Sequence, residues 1–99
     1  MILETVQERA DWLADEIRKR RAGLENERAQ KDPASPHYRP SYPRAEKWIK
    51  QDECTVNGMK IALTFLLGVP MDMQLAEMYI QQDPAWRALL PLELQEEWT

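Results

Sequence analysis

Apolar residues in the first thirty positions follow a helical period. Leu3, Ala10, Ile17 and Leu24 recur every seven residues, with Val6 and Leu13 between them, while the next members of that second series are Arg20 and Glu27. The spacing predicts one long helix within residues 1–31, with an apolar seam that is strong early and weak late. Thr5-Val6-Gln7-Glu8 fits a capping box, in which hydroxyl and carboxylate take up amide hydrogens that the first turn leaves unpaired. Acids stand four residues before bases at Asp15–Lys19, Glu16–Arg20 and Glu27–Lys31, the favourable order on an exposed helix. Asp32-Pro33 ends the helix, because a residue before proline is pushed out of helical geometry.

The pattern then breaks. Residues 32–43 hold four of the seven prolines, which excludes helix and central strand. An extended, partly polyproline-type crossover is expected, with Tyr38 and Tyr42 either folded back over a core edge or presented to a partner.

Helical periodicity resumes at Pro43, which can open a short second helix with Ala45, Trp48 and Ile49 on its apolar side. Gln51, Asp52 and Glu53 are expected to end it before a turn at Asn57-Gly58. From Met59 to Leu67 almost every position is apolar, so a third helix there is expected to be the buried centre, with Phe65 and Leu66 in the core. Gly68 and Pro70 stop it. Asp72 caps a fourth helix over Met73–Gln82, and Asp83-Pro84 opens a fifth carrying Trp86, Leu89 and Leu90. Pro91 kinks that helix or starts a last short one, with Leu94 and Trp98 on one side. No stretch alternates with a two-residue period, so no strand is expected. The fold class is all-α: a single domain over 1–99, with a long N-terminal amphipathic helix (1–31), a Pro-rich connection (32–43) and a compact cluster of about four short helices (44–99).

Composition agrees, since 99 residues with 43% hydrophobic and 30% charged side chains suit one folded core and no bilayer. The net charge of −4 is unevenly laid out. Residues 1–50 carry eleven bases and nine acids, whereas residues 51–99 carry only Lys60 and Arg87 against eight acids. Such unlike halves can steer a basic partner, dock two copies head to tail, or simply solubilise an apolar half. Acids near the N-terminus and the lack of a long apolar run argue against a secretion signal or a membrane span, so a cytoplasmic location is expected.

Chemistry is sparse. One cysteine and one histidine exclude disulfide scaffolds and multi-histidine sites, and Asp52-Glu53 disfavour a Cys54 thiolate. Cys54 is expected to be a buried or half-buried structural residue, and His37 a surface ring. No Glu-x-x-His pair and no glycine-rich phosphate loop occurs, so no enzyme activity, metal or cofactor is expected.

What remains is binding. Trp48 and Trp86 fall in core patterns, leaving Trp12 and the near-terminal Trp98 as candidate anchors. The expected function is that of a small non-enzymatic protein-binding protein: a regulator, adaptor, inhibitor or accessory subunit. One version is a phage-type inhibitor of a nucleic-acid-handling machine, with Glu93, Glu96 and Glu97 imitating phosphates. Candidate partner-binding residues are Trp12, Leu13, Ile17, Tyr38, Tyr42, Glu93, Glu96, Glu97 and Trp98. The N-terminal seam is expected to make a partner contact or a homodimer, the alternative being that it lies across its own C-terminal cluster. A small helical DNA- or RNA-binding regulator using Arg18, Lys19, Arg20 and Arg21 is the runner-up, set against acids flanking that run and a Met59–Gln82 helix pair with Asp72 and Glu77 but no base in its second helix.

Overall fold

A computed structural model describes residues 2–40 and 44–98. It contains α1 (Val6–Lys31), α2 (Glu46–Leu67), α3 (Met73–Ile80), the 3₁₀ turn Pro84–Leu89 and the short α4 (Leu92–Gln95), with no strand among the described residues. The fold is all-α, as the periodicity indicates.

The local stops and starts fall where the residues place them. Thr5 Oγ1 accepts from the Glu8 amide at 3.0 Å, and Glu8 reaches back to the Glu4 amide at 3.2 Å. Asp32 is the C-cap of α1. Gly68 takes the left-handed conformation (φ 84°) after α2, Asp72 accepts from the Leu75 amide at 3.0 Å, and Asp83 from the Ala85 amide at 3.0 Å with Pro84 behind it. The fourth helix is two residues shorter than expected, ending at Ile80, and the fifth is a 3₁₀ turn instead of an α-helix.

One boundary differs in kind. The expected break at Asn57-Gly58 is absent, and the second and third predicted helices are one continuous α2 of 22 residues. Asparagine and glycine lower helix propensity by only about 1 kcal/mol or less each, too little to break a helix whose flanks pack against α1. The expected extended crossover also differs: residues 32–38 form successive turns, with Asp32 Oδ1 accepting from Ala34 N (2.9 Å), Ser35 Oγ from His37 N (3.1 Å) and Asp32 O from Ser35 N (2.9 Å). Short polar side chains at Asp32 and Ser35 curl the backbone between the prolines, and Arg39 N returns to Gln30 O at 2.8 Å. Tyr38 is exposed and covers no core edge; Tyr42 lies outside the described residues.

α1 and α2 run antiparallel. Arg28, near the end of α1, bridges Glu46 and Glu53 in the first half of α2, while Val6 and Gln7 share a groove with Leu66, Leu67 and Gly68. Between them Ala10, Ala14 and Ile17 meet Val56, Leu63 and Leu67. The two alanines let the helix axes approach closely. Short α3 closes this core with Leu75, Ala76 and Ile80, and the remaining turns fold over it. Tyr79, Trp86 and Trp98 form an edge-to-face triad with ring centroids 4.8, 5.6 and 6.2 Å apart. Trp98 is thus 5% exposed and held in the core. The N-terminal seam is spent in the same place, because Ile17 is fully buried and Leu13 and Leu24 pack against the same cluster.

A half-buried charge cluster ties three helices together. Glu77 of α3 accepts from Arg21 of α1 at 3.0 Å, and its second oxygen lies 2.8 Å from Arg21 and 3.2 Å from Lys60 of α2. Burial by itself raises the Glu77 carboxyl, but hydrogen bonds from Arg21 and Lys60 outweigh it and hold the group below its ordinary value near 4.5. A carboxylate with a depressed folded pKa stabilises the fold at pH above about 4.5, and that contribution fades as pH falls through the folded value. Glu77→Gln is therefore expected to cost about 1–2 kcal/mol at pH 7, by stranding two half-buried cations. The wild-type advantage should shrink as pH falls below the ordinary carboxyl value near 4.5, measured by urea unfolding across pH.

Candidate protein-docking face

With α2 continuous, its faces can be laid out from one end to the other at about 100° per residue. Ile49, Val56, Leu63 and Leu67 point into the core. Opposite them stand Gln51, Cys54, Thr55, Gly58, Ile61, Ala62 and Phe65, an outer face without a charge for four turns in a protein that is 30% charged. Phe65 is 59% exposed, and Trp48 one helical sector away is 49% exposed. Met71, just beyond the end of α2, is exposed as well.

The expected burial of Phe65, Trp48 and Cys54 is therefore corrected. A nearly all-apolar run has no polar side to mark its outside, so the core takes Leu63, Thr64 and Leu67 and leaves Ala62 and Phe65 in solvent. Thr64, which with Lys60 is one of two polar members of the run, is buried because its hydroxyl is satisfied: it donates to Ile61 O at 2.6 Å and accepts from Met71 N at 2.9 Å, fixing the turn after Gly68.

Charges gather at the two ends of this face. Lys47 and Lys50 stand in the first turns of α2; Lys47 lies 5.0 Å from the Trp48 ring, and neither lysine has an acid within ion-pair distance among the described residues. At the other end Leu94 seats on Gly68, where an added Cβ would come within 3.0 Å of Leu94 Cδ1. That contact brings α4, which carries Glu93, to the C-terminal end of α2, and Glu97 just after α4 lines the groove between that end and the start of α1, beside Val6, Gln7, Leu66 and Gly68.

Other candidate residues scatter. Trp12 is 48% exposed on α1 but lies about 200° round from Ala10, among Arg9, Glu16 and Lys19 on the side away from the core. It therefore stands apart from the seam of Leu13 and Ile17. Ile17 and Trp98 are buried, Leu13 is partly buried, Tyr38 sits in the turns after α1, and Glu93, Glu96 and Glu97 are exposed. Each residue of the basic run has a partner within the chain: Arg18 donates to Ile80 O at 2.6 Å, Lys19 pairs with Asp15 at 3.1 Å, Arg20 with Glu16 at 3.5 Å and Arg21 with Glu77. They point to different sides of α1 and form no cationic stripe. The expected Glu27–Lys31 pair is replaced by longer-range ones, Glu27 with Arg44 at 2.6 Å and Lys31 with Glu46 at 3.3 Å.

For catalysis little is assembled. His37 lines a small hollow with Asn26, Gln30 and Tyr38, whereas Cys54 stands on the outer face of α2. No group of three potential metal ligands occurs among the described residues, and no helix there is long and apolar enough to cross a membrane. The Tyr79 hydroxyl donates to Asp11 in a polar groove shared with Arg18 and Arg87; burial first, then the Asp11 carboxylate, push the phenol well above its usual value, so it serves as a hydrogen-bond donor.

Compared with protein-family models, curated proteins and solved structures, the chain matches none.

The outer face of α2 is a candidate site that the residue pattern hides. It emerges only when positions 46–67 are drawn on one wheel: a break at Asn57-Gly58 puts Cys54 and Phe65 on separate helices, whereas an unbroken helix puts them on one line with Gly58 and Ile61.

Proposed function

We propose that this chain is a non-catalytic protein-binding module that docks through the outer face of α2. One observation carries the reading: an uncharged strip from Gln51 to Phe65, ending in a phenylalanine that is 59% exposed, on a surface otherwise laced with ion pairs. Uncharged strips that expose large apolar side chains mark interaction surfaces. Regulator, adaptor, inhibitor and accessory subunit are all roles such a module fills, and the exposed unpaired thiol of Cys54 suits the cytoplasm.

The test compares proteins retained by the tagged chain in its native cells, by quantitative mass spectrometry, for wild type, Ala62→Glu/Phe65→Glu and Trp12→Glu. Both changes fall on exposed positions and are expected to shift stability by less than about 1 kcal/mol. Loss of the bound species, another protein or tagged chain bound to untagged chain, in the α2 variant alone supports the reading. Retention in the α2 variant, or loss with Trp12→Glu alone, overturns it.

A further inference from the structure

Resting on that reading, we infer that the occupant of the α2 face is a second copy of this chain, docked antiparallel about a two-fold axis near Gly58. Three observations converge on it.

The first is Gly58 itself. Glycine in mid-helix costs about 1 kcal/mol relative to alanine. Nothing in the chain needs it, since an added Cβ at Gly58 would meet no atom within 4 Å, and its conformation is helical. Flanked by Cys54, Thr55 and Ala62, it makes the lowest point of the outer face, where a second helix axis can approach to about 8 Å.

The second is charge. Lys47 and Lys50 lie at the N-terminal end of α2, where positive charge opposes the helix dipole, and Glu93 and Glu97 are gathered at its C-terminal end, where negative charge opposes it. Within one chain the last turn of α2 holds no base, and its first turn holds one acid, Glu46, already paired with Arg28 and Lys31. An antiparallel copy compensates both ends at once, because each lysine pair meets the partner's glutamates and the negative end of the partner's α2. A parallel copy would set lysine on lysine.

The third is register. Lys47 is eleven residues before Gly58, about 16 Å along the axis, and Gly68 is ten residues after it, about 15 Å. An axis at Gly58 therefore brings Lys47 and Trp48 level with the partner subunit's Gly68, beside its Glu97. Phe65 falls level with the partner subunit's Gln51, and Ala62 with the partner subunit's Cys54. The arrangement is self-complementary, as a two-fold interface must be.

Sedimentation velocity on the full chain from about 1 to about 500 µM tests it, with unfolding followed by circular dichroism. Wild type is expected to dimerise, more weakly as salt is raised. Gly58→Leu is expected to be a monomer with unchanged or higher melting temperature, since leucine is the better helix former. Gly23→Ala, in mid-α1 with equally open surroundings, is the control that stabilises without affecting association. Lys47→Glu/Lys50→Glu should weaken the dimer roughly tenfold or more, and adding Glu93→Lys/Glu97→Lys in the same chain should restore it. Under mild oxidation Ala62→Cys should cross-link through Cys54 of the second copy, whereas the native Cys54 alone should not. A wild-type chain that stays monomeric at the highest concentration overturns the inference. So does a dimer indifferent to Gly58→Leu, or one in which the native Cys54 cross-links to itself. If the chain is monomeric yet Ala62→Glu/Phe65→Glu still loses a bound protein, the second copy falls and the docking face stands; if neither association nor capture depends on the face, both fall.

Discussion

Replacing Ile17 by aspartate is expected to unfold the chain at room temperature. Ile17 is fully buried where α1 meets α2, among Ala10, Ala14, Leu63 and Leu67. The side chains around it, Ala10, Ala14, Leu63 and Leu67, offer a carboxylate no hydrogen bond, so the aspartate would be charged and poorly paired or protonated at a cost. Either way the penalty is several kcal/mol, added to lost apolar burial of about 2–3 kcal/mol. A domain of this size has only about 5–10 kcal/mol in total. Far-UV circular dichroism should show loss of most helix at 25 °C. Ile17→Val, which removes one methylene, should cost only about 1 kcal/mol and leave a cooperative transition. A folded Ile17→Asp chain would mean that α1 docks elsewhere than in this core.

Trp98→Ala is expected to lower stability by about 3 kcal/mol, a fall in melting temperature of roughly 10 °C or more. Chain ends ordinarily contribute little, because they are free to fray. Here the end is pinned: Trp98 is 5% exposed, and its ring stands edge-to-face against Trp86 and Tyr79. Removing it opens a cavity under α4 and takes two aromatic contacts from the triad. Near-UV circular dichroism, which reports tryptophans in fixed mutual orientation, should hold its intensity up to the melt in wild type and be reduced from the start in the variant. Trp98→Phe should recover about half the loss. A variant as stable as wild type would show that the C-terminal turn is an appendage.

Both predictions concern residues whose importance was visible to different degrees beforehand. Ile17 lies on a heptad series with Leu3, Ala10 and Leu24, and a position central to such a series is buried in something; the pattern is silent on whether that is a partner helix or the chain's own α2. Trp98 follows two glutamates near the end of the chain, and the one pattern that reaches it is its i,i+4 spacing from Leu94. Its burial depends on Trp86 of the 3₁₀ turn and Tyr79 of α3, twelve and nineteen residues before it, being gathered around it.

Where the chain stops being helical was legible, because the causes act within about four residues. Asp32 before Pro33, Gly68, Asp72, and Asp83 before Pro84 each satisfy or remove a backbone hydrogen bond with a neighbour, and each ends or begins an element as its chemistry requires. The all-α class followed from the same local terms. Which side of a helix is inside is another matter. Asn57-Gly58 carries a local turn preference of at most about 2 kcal/mol, and packing of Val56, Leu63 and Leu67 against α1 overrides it, making one helix of two. Once the helix is continuous, the direction of α1 and α3 decides that Leu63 and Leu67 go in and that Phe65 stays out, although by composition alone Phe65 is the more hydrophobic choice. The charged run at Arg18–Arg21 was equally undecided until α3 supplied the Ile80 carbonyl and Glu77 from more than fifty residues away. Local backbone chemistry thus set the ends of the helices, and only the long-range meeting of α1, α2 and α3 set their faces, because burial is a property of pairs of surfaces and not of any one stretch of chain.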